Sequence, residues 1–349
     1  MLAHFRAVND ALVRERLTTT RLGRLGPAKF ESPEHFFRRD FSPVTRLQSW
    51  TPERVVSLGD LHGDLAVFLA PLCQAGIIDG DGFWTGSSTV VVQVGDFLDR
   101  GGRLTRDNKI LSLPGYNNRE EIDIMQYAYF LDQQAVEQGG AVILLSGNHE
   151  YYNFCQDFQC TTPVTNEGWG GLASRGSWFA RGIKSDLARY FAQRHPIILR
   201  LGKHVFVHGG LGPPCAEGDQ FDQYLARANQ AFADYLLDPR ATLDGCAEEI
   251  LLSRQISHRF AGSEAECRTV ADKMFADVGL RSDSLMYVGH TPQVSGYQPF
   301  SGVNSVCESS IWRLDVAASE AFGLSDRAQC LEMRLQRGQG FVFRIISAT

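Results

Sequence analysis

The chain has no apolar run of about 18 residues, so it offers no membrane-spanning helix. It has no excess of basic charge. Lys and Arg number 34 against 40 Asp and Glu, and the net charge of −6 excludes a generally basic nucleic-acid binder. Nor is it poor in apolar residues as disordered chains are, since these make up 44% of it. No internal repeat, low-complexity segment or Pro/Gly/Ser linker divides the 349 residues into independent domains. The eight cysteines, Cys73, Cys155, Cys160, Cys215, Cys246, Cys267, Cys307 and Cys330, form no CxxC pair and no compact cluster with histidine. That excludes a zinc module and a dense disulfide framework, and it reads as reduced, mostly buried thiols. Only Cys155 and Cys160 are close enough in sequence to suggest a redox switch. No positive cluster followed by an apolar stretch opens the chain, so no secretory leader is expected and cytoplasm is the default. What remains is an enzyme-sized α/β chain with a substantial core.

Residues 1–53 read as an extension. Leu2, Phe5, Val8, Leu12, Val13 and Leu17 recur at helical spacing, and Arg6, Arg14, Arg16, Arg21 and Arg24 make this arm basic. A helix packed on the outside of the domain and an organelle transit peptide both fit that pattern. From Arg54 onward, short apolar runs alternate with helix-like stretches. Strands are expected at Arg54–Leu58, Thr89–Val94 and Ala141–Leu145, with helices over about 64–75 and 120–137. Further strands are expected at His204–Val207 and Ser284–Val288, with a helical region over about 220–278 between them. Ile311–Asp315, Ala328–Leu335 and Gly340–Ile346 close the chain as strands. Strand–helix alternation of this kind gives an α/β fold with a largely parallel sheet, here one catalytic domain over residues 54–349. Asp79-Gly-Asp-Gly82 lacks the later acidic ligands of a calcium loop and is a turn.

Five strand ends carry chemistry. The first gives Gly59-Asp60-Leu61-His62-Gly63-Asp64, the second Gly95-Asp96-Phe97-Leu98-Asp99-Arg100-Gly101, and the third Gly147-Asn148-His149-Glu150. His208-Gly-Gly210 and Gly289-His290-Thr291 follow two later strands. Active sites of open α/β sheets gather beyond the carboxyl ends of strands. Asp60, His62, Asp96, Asn148, His208 and His290 together form a mixed nitrogen and oxygen ligand set suited to manganese, iron or zinc. Six ligands hold two ions if one carboxylate bridges, and Asp96 is the natural bridge. A metal pair about 3.5–4 Å apart polarises a phosphate ester and turns bound water into a hydroxide nucleophile. His4, His35, His195, His204 and His258 match no part of this pattern and are assigned structural or surface roles. Arg100 is left to grip phosphate oxygens, and His149 to protonate the departing alkoxide with Asp99 holding it.

GDLHGD at 59–64, GDFLDRG at 95–101, GNHE at 147–150, HGG at 208–210 and GHT at 289–291 together resemble the signature of the metal-dependent PPP phosphoprotein phosphatases. Those enzymes sit within the calcineurin-like metallophosphoesterases. Val91-Val-Gln-Val-Gly-Asp96, Gly139-Gly-Ala-Val142 and Ile311-Trp-Arg-Leu-Asp315 look like the bacterial-like branch of Shewanella-like phosphatases. The resemblance implies a β-sandwich flanked by helices with a di-metal site at strand ends. It also implies the ligand roles above, the Asp99–His149 pair, and Arg100 and Asn148 as phosphate contacts. A second phosphate-binding arginine is expected from the family, with Arg254 in Leu251-Leu-Ser-Arg254 as first choice and Arg175 as the alternative. The Ser-Ala-Pro-Asn-Tyr run of the toxin-sensitive eukaryotic enzymes has no counterpart after His290, and Gly102 to Asn118 looks like an insertion that could shape substrate choice.

The expected activity is hydrolysis of phosphomonoesters on proteins, at Ser/Thr or Tyr, by direct attack of a metal-bridging hydroxide. A dinucleoside polyphosphate hydrolase like the diadenosine tetraphosphatases shares these elements and is the alternative. A phosphoprotein-binding scaffold that has lost turnover is disfavoured, because no ligand position is missing.

Overall fold

The computed structural model describes residues 32–43, 51–101, 119–258, 262–294, 301–319, 321–322 and 328–348. The helical pattern expected over residues 2–17 and the stretch 102–118 that looks like an insertion lie outside them. Part of the expected extension is visible nonetheless. A short helix α1 (Pro33–Phe36) is capped by the Ser32 side chain and followed by buried Phe37 and Phe41. These rings pack on Tyr129 and Tyr190, with Phe41 4.5 Å from Tyr190, so this stretch is stitched into the domain.

The first half of the domain runs β1 (Arg54–Leu58), α2 (Leu65–Gln74), β2 (Val90–Gln93), α3 (Glu120–Glu137) and β3 (Ala141–Leu144). β1, β2 and β3 pair in parallel. Val55, Val56, Val90, Val91, Val92 and Ala141 are fully buried, as strands covered on both faces require. Four short helices follow: α4 (Asn148–Phe154), α5 (Pro163–Gly168), α6 (Leu172–Trp178) and α7 (Asp186–Arg194). The second half runs β4 (Ile198–Leu201), β5 (His204–Val207), α8 (Phe221–Leu237), α9 (Gly245–Leu252), α10 (Glu264–Asp277), β6 (Leu285–Val288), β7 (Asn304–Val306) and β8 (Ile311–Arg313). β9 (Ala328–Gln336) and β10 (Gly340–Ala348) then return to the first sheet.

Two mixed sheets result, in the orders β10-β9-β1-β2-β3 and β4-β5-β6-β8-β7. Each has three parallel strands, with antiparallel strands added beside them. The sheets meet through rings of β10. Phe341 lies 4.3 Å from His204, and Phe343 stacks on Trp312 at 4.9 Å. The parallel cores match the sequence expectation; the antiparallel additions come from the hairpin of β9 and β10 and from β4 and β7. The expected helical region over 220–278 is three separate helices.

The reading of all eight cysteines as thiols is overturned. Cys215 is bonded to Cys246, and Cys267 to Cys307. The partners lie 31 and 40 residues apart, so no local spacing announces them; the fold of the second half brings them together. Cys73, Cys155, Cys160 and Cys330 stay outside the bridges, and Cys155 is exposed.

Candidate metal centre

All six predicted ligands converge and all are buried, none more than 5% exposed. Asp60 and His62 follow β1, Asp96 follows β2, Asn148 opens α4 after β3, and His208 and His290 follow β5 and β6. The local chain is shaped to bring them in. His62, Asp96, Asp99 and His290 have φ of 42°, 58°, 64° and 69°, in the left-handed region that L residues avoid. Each costs on the order of 1–3 kcal/mol, which the surrounding packing must offset. Two glycines make the room. A Cβ at Gly147 would overlap Asp96 Oδ1, and one at Gly289 would overlap Asp60 Oδ1.

Asp96 is central. Its Oδ2 lies 3.2 Å from His208 Nε2, 3.9 Å from His62 Nε2 and 3.8 Å from His149 Nε2. Burial pushes this carboxyl up, but His208, His149 and His62 outweigh it and hold Asp96 well below the usual carboxylate range. Asp60 Oδ2 is 3.8 Å from His62 Nε2, and both Asp60 oxygens accept from the His290 backbone N–H at 3.1 Å.

The histidines present lone pairs. His62 Nδ1 bonds Leu98 O at 3.1 Å and His208 Nδ1 bonds Val94 O at 2.9 Å, which leaves Nε2 of each as the ligand atom. For His290 the roles reverse: Nε2 bonds Leu252 O at 3.2 Å, and the buried Nδ1 has no hydrogen-bond partner. Burial, reinforced by His208 and Arg254, pushes His290 down to about 2, so this ring is neutral. His208 Nε2 also faces Asn148 Oδ1 at 2.8 Å. An acceptor nitrogen against two acceptor oxygens, with an orphaned ring nitrogen nearby, is a donor set that asks for cations. The His62–Asp96–His149 and Asp96–His208–His290 clusters mark where such ions fit. The presence of His149 in the first cluster was not anticipated.

The Asp99–His149 pair expected from the sequence is equally well formed. His149 Nδ1 meets Asp99 Oδ2 at 2.8 Å. Asn153 Nδ2 donates to both oxygens of Asp99, at 2.9 and 3.0 Å, and to His149 O at 2.8 Å. Burial pushes Asp99 up, yet the bond to His149 and the charge of Arg175 bring it below its ordinary value.

Arg254 and Arg175 separate clearly. Arg254 reaches the site edge, where Nη1 donates to His290 O at 2.6 Å and to Thr291 Oγ1 at 3.1 Å. Arg175 is fully buried on α6 and points at Asp99 and Glu121, away from any position where phosphate could meet it. The alternative assignment of Arg175 to phosphate is therefore corrected. Arg100 is anchored from behind: Nη1 binds Glu120 Oε2 at 2.6 Å and Gly63 O at 3.3 Å, with Asp64 Oδ2 at 3.8 Å from Nη2. Among the other histidines, His195 and His204 are buried and His35 and His258 are exposed; His4 lies outside the described residues.

A set of carboxylates escaped sequence reasoning. Glu150 accepts from the backbone N–H groups of Asp96, Phe97, Leu98 and Gly147, at 2.7–3.0 Å. Burial and Asp96 push it up to about 8 against the pull of these N–H groups. Glu121 accepts from Asp99 N at 2.9 Å and Arg100 N at 3.3 Å, and Glu120 from Leu65 N at 3.0 Å. The only sequence signal for the last two was an acidic pair where α3 was expected to begin, which reads as ordinary helix-dipole chemistry.

Comparison with known proteins agrees with this geometry. The family model described as calcineurin-like phosphoesterase matches residues 53–293. Shewanella-like protein phosphatase 2 of Arabidopsis thaliana is 27% identical, over 82% of this chain and 76% of its own. Shewanella-like protein phosphatase 1 of Plasmodium berghei is 23% identical, over 76% and 67%. Among solved structures, a cold-active protein-tyrosine phosphatase of a psychrophilic Shewanella species superposes with a TM-score of 0.58 at 19% identity, over 91% of this chain and 89% of that one. The chain belongs to the calcineurin-like phosphoesterase family and is a hydrolytic phosphatase.

Proposed function

We propose that the enzyme is a protein phosphatase hydrolysing phosphomonoesters, with phosphotyrosine as the preferred residue. The observation that carries this reading is the placement of the Asp99–His149 pair beside Asp96, with His149 Nε2 3.8 Å from the central carboxylate. Asp60, His62 and Asp96 would hold one ion, and Asp96, Asn148, His208 and His290 the other. Manganese is the ion to use in vitro, with iron or zinc also suited to these donors. Bound there, two ions would polarise the ester and supply a hydroxide nucleophile at neutral pH.

The chain's own residues do the rest. Arg254, and Arg100 from its anchored position, neutralise and orient the phosphate, with Asn148 adding a polar contact. His149 gives its Nε2 proton to the ester oxygen as that oxygen leaves phosphorus with the bonding electron pair. Water supplies the hydroxyl added to phosphorus, and its remaining proton restores the imidazole. The preference for tyrosine is supported by two half-buried aromatic rings at the site, Phe322 5.0 Å from His62 and Tyr152 5.8 Å from His149. An aryl ester would lie between such rings more favourably than a seryl one. The tyrosine phosphatase named among the structural neighbours fits the same reading. Residues 54–349 form the catalytic unit in this proposal, with 1–53 as an extension. Two disulfides favour an oxidising compartment over the cytoplasm expected from the sequence.

The test is initial rates of manganese-loaded enzyme on phosphoserine, phosphothreonine and phosphotyrosine peptides and on diadenosine tetraphosphate, with Asp96→Asn as the blank. Phosphotyrosine peptide turned over fastest, and no turnover by the variant, is the expected result. Turnover of the dinucleotide alone would move the assignment to polyphosphate hydrolysis.

A further inference from the structure

Arg175 has no exposed surface and carries a fixed charge. A guanidinium left unpaired at such depth would cost several kcal/mol, so its partners explain its presence. Nη2 meets Asp99 Oδ1 at 2.6 Å, Nη1 meets Glu121 Oε2 at 2.8 Å, and Nε donates to Asn153 Oδ1 at 2.8 Å. Its surroundings include the rings of Trp169 and Phe179, 5.6 and 5.4 Å from the guanidinium carbon. Trp169 Nε1 donates to the same Glu121 oxygen at 2.8 Å.

All three polar partners converge on the proton-donor pair. Asp99 is half of it. Asn153 donates to Asp99 and to the His149 carbonyl, and Glu121 accepts from the Asp99 backbone N–H. An arginine that merely fastened α6 to the core would have no reason to direct one bond to this pair and the other two to residues that hold it.

We infer that Arg175 is the positioning residue of the proton donor. It occupies Asp99 Oδ1 and fixes Asn153, so that Oδ2 faces His149 Nδ1 and the imidazole is held with Nε2 toward the leaving oxygen. The inference rests on the reading of His149 as general acid. The step it serves is ester cleavage: the phosphorus–oxygen bond breaks, its electron pair leaves on oxygen, and the Nε2 proton follows. Planar, two-handed bonding is what arginine offers here; lysine supplies the charge but cannot reach Asp99, Glu121 and Asn153 together.

The experiment compares phenyl phosphate, a poor leaving group that needs the proton, with 4-nitrophenyl phosphate, which needs it little. Wild type, His149→Asn, Asp99→Asn, Arg175→Lys, Arg175→Met and the Asp99→Asn/Arg175→Met pair are measured with manganese. Arg175→Met should lower kcat about a hundredfold on phenyl phosphate and about fivefold on 4-nitrophenyl phosphate, with KM within about threefold. Arg175→Lys should recover about tenfold of the larger loss, and Arg175→Met should add little in the Asp99→Asn background. In metal-free protein, the low-field proton resonance of the His149–Asp99 bond, identified by its loss in His149→Asn, should shift in Arg175→Lys. Equal losses on both esters in the Arg175 variants, with His149→Asn still selective and the resonance unmoved, would overturn the inference alone. Equal losses in His149→Asn would instead overturn the general-acid reading beneath it. If Arg175→Met does not fold, Arg175→Lys carries both readouts.

Discussion

The two sheets bring ligands to the same centre but fasten their loops differently. In the first, the loops after β1, β2 and β3 are gripped by buried carboxylates. Glu150 gathers four backbone N–H groups, Glu121 two more, and Glu120 takes Leu65 N and the Arg100 side chain. In the second, backbone bonds such as Gly209 N to Ile250 O and Gly289 N to His208 O hold most of the loop, and only the left-handed His290 N–H goes to a carboxylate, that of Asp60. Both disulfides lie in this half, the first joining the stretch after His208 to the start of α9. The contrast has a physical origin. Loops turned left-handed leave N–H groups without strand partners in an apolar interior, where a carboxylate can collect several at once. The cross-links of the second half act instead on the unfolded chain, by closing loops of 31 and 40 residues.

That contrast can be broken from either side. Replacing Cys215 and Cys246 by serine should lower stability by about 4 kcal/mol, read from urea midpoints, because closing a loop this long restricts the unfolded chain strongly. The leaving-group selectivity proposed for His149 should not change; a change would mean that the covalent half also governs it. Glu150→Gln should cost about 3 kcal/mol and most of the turnover, since the amide turns an N–H donor toward N–H donors. Equal stability of that variant would show that the carboxylate grip is dispensable.

Acid should act on the second half through His204, which burial lowers from 6.5 to about 4. Its contribution is complete above pH 6.5 and is lost as pH falls toward 4, because the unfolded chain takes up a proton that the folded chain refuses. Relative to His204→Gln, wild type should therefore lose about 2 kcal/mol of stability between pH 8 and pH 5, measured by urea melts at both. Parallel pH curves for the two proteins would remove His204 from the account. The smallest effect is expected at Arg254→Ala, about tenfold in KM for a phosphopeptide, or about 1.4 kcal/mol, with kcat changed less. A loss confined to kcat would place Arg254 on the transition state instead.

The ligand set was legible because each member stands one to four residues past an apolar strand and beside a glycine, a local pattern that survives in linear text. His149 and Asp99 were legible because they stand in the same short motifs as those ligands, GNHE and GDFLDRG. Arg175, Asn153 and Trp169 were not, since each sits in helical surroundings and gains meaning only when α4, α5 and α6 close around Asp99. The disulfides were illegible for a related reason: their halves are separated by whole helices or strands. In the fold, the parallel strand cores could be read from apolar runs, whereas α4, α5 and α6 span only six or seven residues each, too few to show a helical period.

The left-handed backbone at His62, Asp96, Asp99 and His290 has an evolutionary consequence. Glycine at any of these positions would relax the chain locally while abolishing what the side chain does. A lineage freed from the need to turn over substrate would drift toward such replacements, because each one helps the fold survive. Keeping all four at once is therefore a signature of continuing use, written in the conformation of the chain as well as in its residues.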